Sequence, residues 1–280
     1  MLRTNFKIMK NILTLCALLL TAITFGQDLP RASSSVKITQ EVGLNSITLD
    51  YSRPNVNGRT IFGDLLNYGE VWRLGANECT KITLEYPITI GGQKLKKGTY
   101  SMYALLEKNQ WTVVFNTDSE QWGSNDYDAS KNVLEYSVSA GSGDHTESFY
   151  IGLEQIMESS ANIVIRWDNA VVSIPMTTDT KAAVMDNIQA AVNKGEDLAR
   201  VYSNAADYSY DSGDTEKADE YLAQSLKIER TYYNVFMKAQ MVAKEDPSAA
   251  KKLAKEALGY AEKAEKAGWA RYISRKMGEW

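Results

Sequence analysis

The chain has 280 residues, 44% of them hydrophobic, with 31 basic and 35 acidic side chains and a net charge of −4. That length permits one large or two ordinary domains, each able to bury its own core. The acidic balance argues against nucleic acid as a partner, and two cysteines are too few for a disulfide-stapled scaffold.

At the N-terminus, Arg3, Lys7 and Lys10 precede an apolar stretch from Ile12 to Ile23 that ends in Thr24, Phe25 and Gly26. This pattern predicts a secretory signal peptide over residues 1–26 and a periplasmic or secreted product. Met9, followed by Lys10 and Asn11, offers a second start with a more compact signal of the same type. Cys16 does not read as a lipid-attachment site, because Leu18 to Leu20 continue the apolar core beyond it. The apolar stretch is shorter than the roughly 20 residues a membrane-crossing helix needs, and no later one is longer, so no transmembrane segment is expected. Cleavage leaves 254 residues with a net charge of −7, and Cys79 as the single thiol. No internal disulfide can then form, and a lone cysteine without a histidine nearby in sequence reads as packing.

From residue 33 to 177 the apolar residues alternate: Ile47, Leu49, Tyr51; Ile82, Leu84, Tyr86; Tyr100, Met102, Ala104; Trp111, Val113, Phe115; Leu134, Tyr136, Val138; Phe149, Ile151, Leu153; Ile163, Ile165, Trp167. Period two over many short runs predicts antiparallel strands with one buried face, folded as a β-sandwich or an open barrel. Turn signals fall at Gly91 and Gly92, at Gly141 to Asp144, and at Asp168 and Asn169, the last pair placed to close a hairpin.

Near Thr180 the spacing becomes helical, through Val184, Ile188 and Val192, then Leu198, Val201, Tyr202, Ala205 and Ala206. Ser212, Gly213 and Asp214 end one helix and open the next, and Asp246 with Pro247 does the same. These breaks lie 32 residues apart, near the roughly 34-residue period of tetratricopeptide repeats. The expected class is therefore α+β, with a helical tetratricopeptide-like region over residues 180–280 following the β region. Two repeats are few for a free-standing solenoid, so the helices are expected to pack on one another and on the β region. The β region carries the whole −7, while residues 180–280 hold 16 charges of each sign.

One block of the β region is denser in arginine, glycine and amide residues than a plain scaffold needs. It comprises Ser52, Arg53, Pro54; Gly58, Arg59; Phe62, Gly63; Trp72, Arg73; and Gly75, Ala76, Asn77, Glu78. Gly98, Thr99, Tyr100 follow, then Trp111, Phe115 and Asn116. This pattern resembles the exported bacterial family known as domain of unknown function 2911, whose members come mainly from bacteria of the Bacteroidetes type. The resemblance implies a family and no reaction.

Alternation on the strand from Ile47 puts Arg53 at the rim of the core, where a half-buried guanidinium needs a partner. Arg59 and Arg73, with Glu70 and Glu78 nearby in sequence, suit a cationic pocket that grips a carboxylate, phosphate or sulfate. Arg53, Arg59 and Arg73 equally suit ion pairs with Asp64, Glu70 and Glu78 that lock a long loop. The candidate ligand-binding residues are Arg53, Arg59, Trp72, Arg73, Asn77, Glu78 and Asn116. Glu70 and Glu78 admit a second reading, an acid and base acting on an envelope glycan or peptide. Trp72, Trp111 and Trp122 are candidates for sugar stacking, or for core. Asp118, Glu120, Asp126 and Asp128 lack a calcium-loop spacing, and neither a metal nor a cofactor is expected. The leading expectation is a non-catalytic binding module for an anionic small molecule or glycan, with the helical region taking a protein partner. A purely structural envelope role is the third reading.

Overall fold

The computed structural model describes residues 29–195 and 197–280, so the expected signal peptide lies outside the described residues. Eleven strands come first: β1 Ser34–Val42, β2 Asn45–Arg53, β3 Val71–Trp72, β4 Thr80–Leu84, β5 Ile88–Ile90, β6 Gln93–Leu95, β7 Gly98–Leu106, β8 Gln110–Asn116, β9 Asn132–Ser139, β10 Gly141–Glu154 and β11 Ser160–Thr178. Seven form one sheet in the order β1-β2-β4-β7-β8-β9, with β3 also on β7, and four form a second in the order β10-β11-β5-β6. Every pairing is antiparallel.

The alternating residues point into one core shared by both sheets. Leu49 of β2, Ile82 of β4, Met102 of β7, and Trp111 and Phe115 of β8 meet Phe149 and Ile151 of β10 and Ile163, Ile165 and Trp167 of β11. Two separate sheets across a common core make a sandwich, not a closed barrel.

The expected hairpin at Asp168 and Asn169 does not form. β11 runs through both residues without reversing, and Asp168 takes the left-handed conformation at φ +51°. Opposite it, β10 shifts register between Ser142 and Thr146 and again between Thr146 and Tyr150. Aspartate tolerates that conformation, so the extra length is absorbed as bulges that bend the ribbon. The expected turn at Gly141 to Asp144 is likewise the start of β10, and only Ala140 separates β9 from β10.

The helices are α1 Thr180–Lys194, α2 Leu198–Asp211, α3 Thr215–Ile228, α4 Tyr232–Val242, α5 Pro247–Lys263 and α6 Ala267–Glu279. Asp179, Asp197, Asp214 and Asp246 each accept a bond from a first-turn N–H, and Thr231 with Asn234 makes a capping box. α2 packs on α3, α4 on α5, and α5 on α6. Small residues of α5, Ala254, Ala257 and Ala261, let it approach Val235, Phe236 and Ala239 of α4 closely. α2 begins at Leu198 and α4 at Tyr232, 34 residues on, as the repeat spacing requires.

Among the described residues no helix shares an extensive contact surface with a strand, contrary to the expected packing on the sandwich. The join is local: the Thr180 hydroxyl donates to the Glu158 carbonyl at 2.8 Å, and Thr178 N–H donates to Ser159 O at 2.9 Å. Gly43 lies against this join with φ +58°, and a Cβ there would stand 2.6 Å from Glu158 O.

Candidate functional site

Between β2 and β3 the chain makes a long irregular excursion, residues 54–70. Pro54 ends β2 by removing a donor, and Gly58, Gly63 and Gly69 take positive φ values that turn the chain. What fixes the excursion is apolar insertion. Ile61 is fully buried, and Phe62 packs its ring 5.3 Å from Trp111, 6.5 Å from Trp72 and 6.4 Å from Trp167. Backbone bonds from Gly63 N to Leu66 O and from Leu66 N to Ile61 O close the tip.

After β3 the turn is sharper. Leu74 has φ +50° and Gly75 φ +143°, and a Cβ on Gly75 would lie 2.8 Å from Ser52 O. Trp72 locks this turn by donating its indole N–H to Gly75 O at 3.1 Å, while its ring stacks on Trp167 at 5.6 Å.

The two segments enclose a cavity of about 390 Å³. Arg59 and Arg73 line it, with Pro54, Leu65, Leu66 and Ala76 as apolar wall, Trp72 and Trp167, and Ala32, Ser33, Asn55 and Asn57. The Arg73 head itself reaches toward Gly123 and Tyr103, outside that lining.

Arg73 Nε and Trp167 Nε1 are buried N–H donors without a partner among the described residues. Several nearby carbonyls are engaged. Asn55 O and Val56 O accept from Arg59 at 2.5 and 3.0 Å, Ser33 O accepts from Asn77 at 3.3 Å, Gly75 O accepts from Trp72, and Pro54 O accepts from Phe149 N–H at 2.9 Å. Burial pulls the Arg73 guanidinium below the ordinary arginine range, with Tyr103 opposing it. A desolvated cation with no counter-charge is costly to maintain.

The alternative of a loop-locking ion network fails. Among the described residues, Arg53, Arg59 and Arg73 enter no salt bridge, and neither do Asp64 and Glu70. Glu78 pairs instead with Arg31 at 2.9 Å. The loop satisfies itself through backbone bonds, arginine-to-carbonyl bonds and the Phe62 anchor.

Arg59, Trp72 and Arg73 therefore share one cavity, and the other candidates lie elsewhere. Arg53 donates to Phe149 O at 2.8 Å, tying one sheet to the other. Asn77, at φ +60°, holds Ser33 O and Ser52 Oγ. Asn116 is buried, donating to Asp128 O and Asn132 Oδ1 and accepting from Asp118 N–H, which pins the loop after β8. Glu78 lies in a second concavity with Arg31, Asp50 and Lys81. Its carboxyl is held below the usual range by its own N–H and by Arg31, the reverse of a raised general acid. Trp72 and Trp111 are core residues and offer no sugar platform; Trp122 is 62% exposed, with the Arg31 guanidinium 5.9 Å from its ring. Of the acidic loop, Asp118 pairs with Lys131, Glu120 pairs with Lys81, and Asp128 caps Ser130. Cys79 is buried, and burial pushes its thiol up.

Sequence reasoning missed Trp167, Asn55, Asn57 and the run Ala32–Ser33. Alternation assigns Trp167 to the core correctly, but nothing in that pattern signals that its N–H would be left without an acceptor.

His145 lies on the bulged part of β10, its Nε2 3.3 Å from Glu147 and its Nδ1 3.2 Å from Asp168. Glu147 also accepts the Asn57 N–H at 2.8 Å, which ties this cluster to the cavity rim. Bonds to Glu147 and then Asp168 raise the imidazole above 6.5. The folded state thus favours the charged ring. Its stabilisation is complete below pH 6.5 and is lost as pH rises through the raised folded value. The difference in melting midpoint between wild type and His145→Gln should therefore shrink from about pH 5.5 to about pH 8.5, and more so at low salt. Midpoints that run parallel across that interval would show that the bridge carries no stability.

A family model described as protein of unknown function (DUF2911) matches residues 33–176. No curated protein and no solved structure matches.

Proposed function

From the premise that the chain belongs to the DUF2911 family, we propose that it is an exported, non-catalytic binding module that captures a small anionic molecule in the Arg59–Arg73 cavity. The observation that carries this reading is the Arg59 guanidinium, which lines a cavity with an apolar wall and enters no salt bridge among the described residues. An anion accepts and does not donate, so it matches that guanidinium and neutralises its charge. A neutral glycan fits less well, because it would leave the cation without a counter-charge. The basic start and apolar stretch of residues 1–26 support delivery to the periplasm or beyond. The helical hairpins α2–α3 and α4–α5, joined to the β region only locally, are the surface for a protein partner.

Thermal unfolding of residues 27–280 against phosphate, sulfate, organic acids and neutral sugars tests the reading. An anion at a hundredfold excess over its Kd adds about 2.7 kcal/mol and raises the midpoint by roughly 5–10 °C. A shift with neutral sugars alone would transfer the site to glycans. No shift with any anion would end the anion reading.

A further inference from the structure

We propose a second ligand site, for a neutral saccharide, in the concavity beside Trp122 on the outer face of the seven-stranded sheet. It goes beyond the anion reading and does not rest on it.

The sheet register builds the floor of this site. Asp50 and Ser52 alternate along β2 with the core residues Leu49 and Tyr51, so they belong to the opposite face. Ser35 of β1 stands opposite Ser52, and Lys81 of β4 stands opposite Asp50. With Arg31 and Glu78 they line a concavity of about 500 Å³. That lies within the roughly 300–1,000 Å³ of small-molecule sites.

Its hydrogen-bonding groups are of both kinds and reach solvent. The Arg31, Glu78 and Lys81 side chains are 54%, 43% and 26% exposed. Arg31 Nη1 donates to both Glu78 oxygens at 2.9 Å, and Lys81 Nζ donates to Glu120 at 2.9 Å. A guanidinium has five N–H groups and an ammonium three, so each head keeps donors to spare. Asp50 enters no salt bridge among the described residues, although Lys37 and Lys81 stand opposite it in register. Arg31, Lys37 and Lys81 balance Asp50, Glu78 and Glu120 in charge, which leaves no net pull on an ion of either sign. A sugar hydroxyl both donates and accepts, and spare N–H groups beside an unpaired carboxylate serve both demands.

Trp122 supplies the apolar half of the site. Its ring is exposed, with the Arg31 guanidinium 5.9 Å from its centroid, and its backbone bridges to Glu78. The ring therefore stands at the edge of the concavity. The loop beneath it is held on both sides: Cys79 N–H donates to Gln121 O at 3.1 Å, and Gly123 N–H donates to Asn77 O at 3.2 Å. The Gln121 side chain accepts from Tyr103 at 2.8 Å and donates to Asp118 and to Asp126 O at 2.9 Å. A braced loop lowers the ordering cost of binding on that ring, and the C–H face of a pyranose packs on an indole.

Titration of residues 27–280 with neutral oligosaccharides of glucose, mannose, galactose and N-acetylglucosamine, with trigalacturonate and with triglycine tests the proposal by calorimetry. The proteins are wild type, Trp122→Ala, Trp122→Phe, Asp50→Ala and Arg59→Met. At least one neutral oligosaccharide is expected to bind wild type, and Trp122→Ala should weaken it tenfold or more, with part of the loss restored in Trp122→Phe. Asp50→Ala should weaken it about tenfold, the loss of one hydrogen bond to a charged group, and Arg59→Met should leave it unchanged. Melting midpoints without sugar check that each variant is folded. Failure of every neutral oligosaccharide to bind, preference for trigalacturonate or triglycine, or neutral-sugar binding that Trp122→Ala leaves intact would overturn the proposal. None of these outcomes touches the anion reading, which stands or falls on anion binding by wild type and Arg59→Met.

Discussion

Replacing Arg73 by methionine is expected to leave the protein as stable as wild type or more so. The Arg73 guanidinium is partly withdrawn from water, has a buried Nε without a partner, and faces no carboxylate among the described residues. Burial depresses its pKa, which means the surroundings disfavour the charge. Methionine keeps an unbranched body and removes the disfavoured head. A gain of about 1 kcal/mol is expected, raising the midpoint of the β region by roughly 2–4 °C. Anion binding should depend instead on Arg59, which lines the cavity, and Arg59→Met is expected to weaken it by about 10- to 100-fold, or roughly 1.4–2.8 kcal/mol. Melting curves of wild type and both variants with and without ligand separate these effects. An Arg73→Met variant that melts several degrees earlier would make its head a stabilising scaffold group, and an Arg59→Met variant that binds as wild type does would count against the anion site.

A cation buried away from any carboxylate among the described residues is one reason why the site was only half legible in the sequence. The strands were readable because burial on one face imposes period two, and Leu49, Ile82, Phe115 and Ile165 point inward as alternation requires. The helix breaks were readable because Asp214 and Asp246 cap in a way that depends on neighbours three residues away. The arginine block announced itself by composition, yet its pairing did not follow from proximity in sequence. Glu78, five residues from Arg73, is claimed by Arg31, which lies 47 positions before it. Trp167, 94 residues on from Arg73, shares the cavity because β11 crosses beneath the loop. The Asp168–Asn169 bend shows the same limit: the local turn chemistry was real, but pairing with β10 decided that it would bulge and not reverse. Local rules specify which face and which cap; which distant groups meet is set by the sheet order.

Trp72 is the residue through which that long-range order reaches the cavity, and Trp72→Ala is expected to cost the most stability. Its ring is 5% exposed, stacks on Trp167 at 5.6 Å, and meets Phe62, Trp111 and Phe149 edge-on at 6.5, 5.9 and 5.2 Å. Removing it takes out the centre of an aromatic cluster that neighbours on two sheets and an anchored loop cannot collapse to fill. The expected loss is about 3–5 kcal/mol, a large share of the roughly 5–15 kcal/mol that holds a typical protein folded. Trp122→Ala provides the contrast, since that ring is 62% exposed and its loss should cost under about 1 kcal/mol. Urea denaturation of both variants checks the pair, and similar midpoints would contradict the packing described. Trp72→Phe isolates the second role. It keeps most of the ring but cannot donate to Gly75 O, so the Leu74–Gly75 turn loses the bond that holds it. The variant should fold with a loss of about 1–2 kcal/mol and bind anions more weakly than wild type. Because Trp72 both locks this turn and lines the cavity, core packing and ligand capture depend on the same indole.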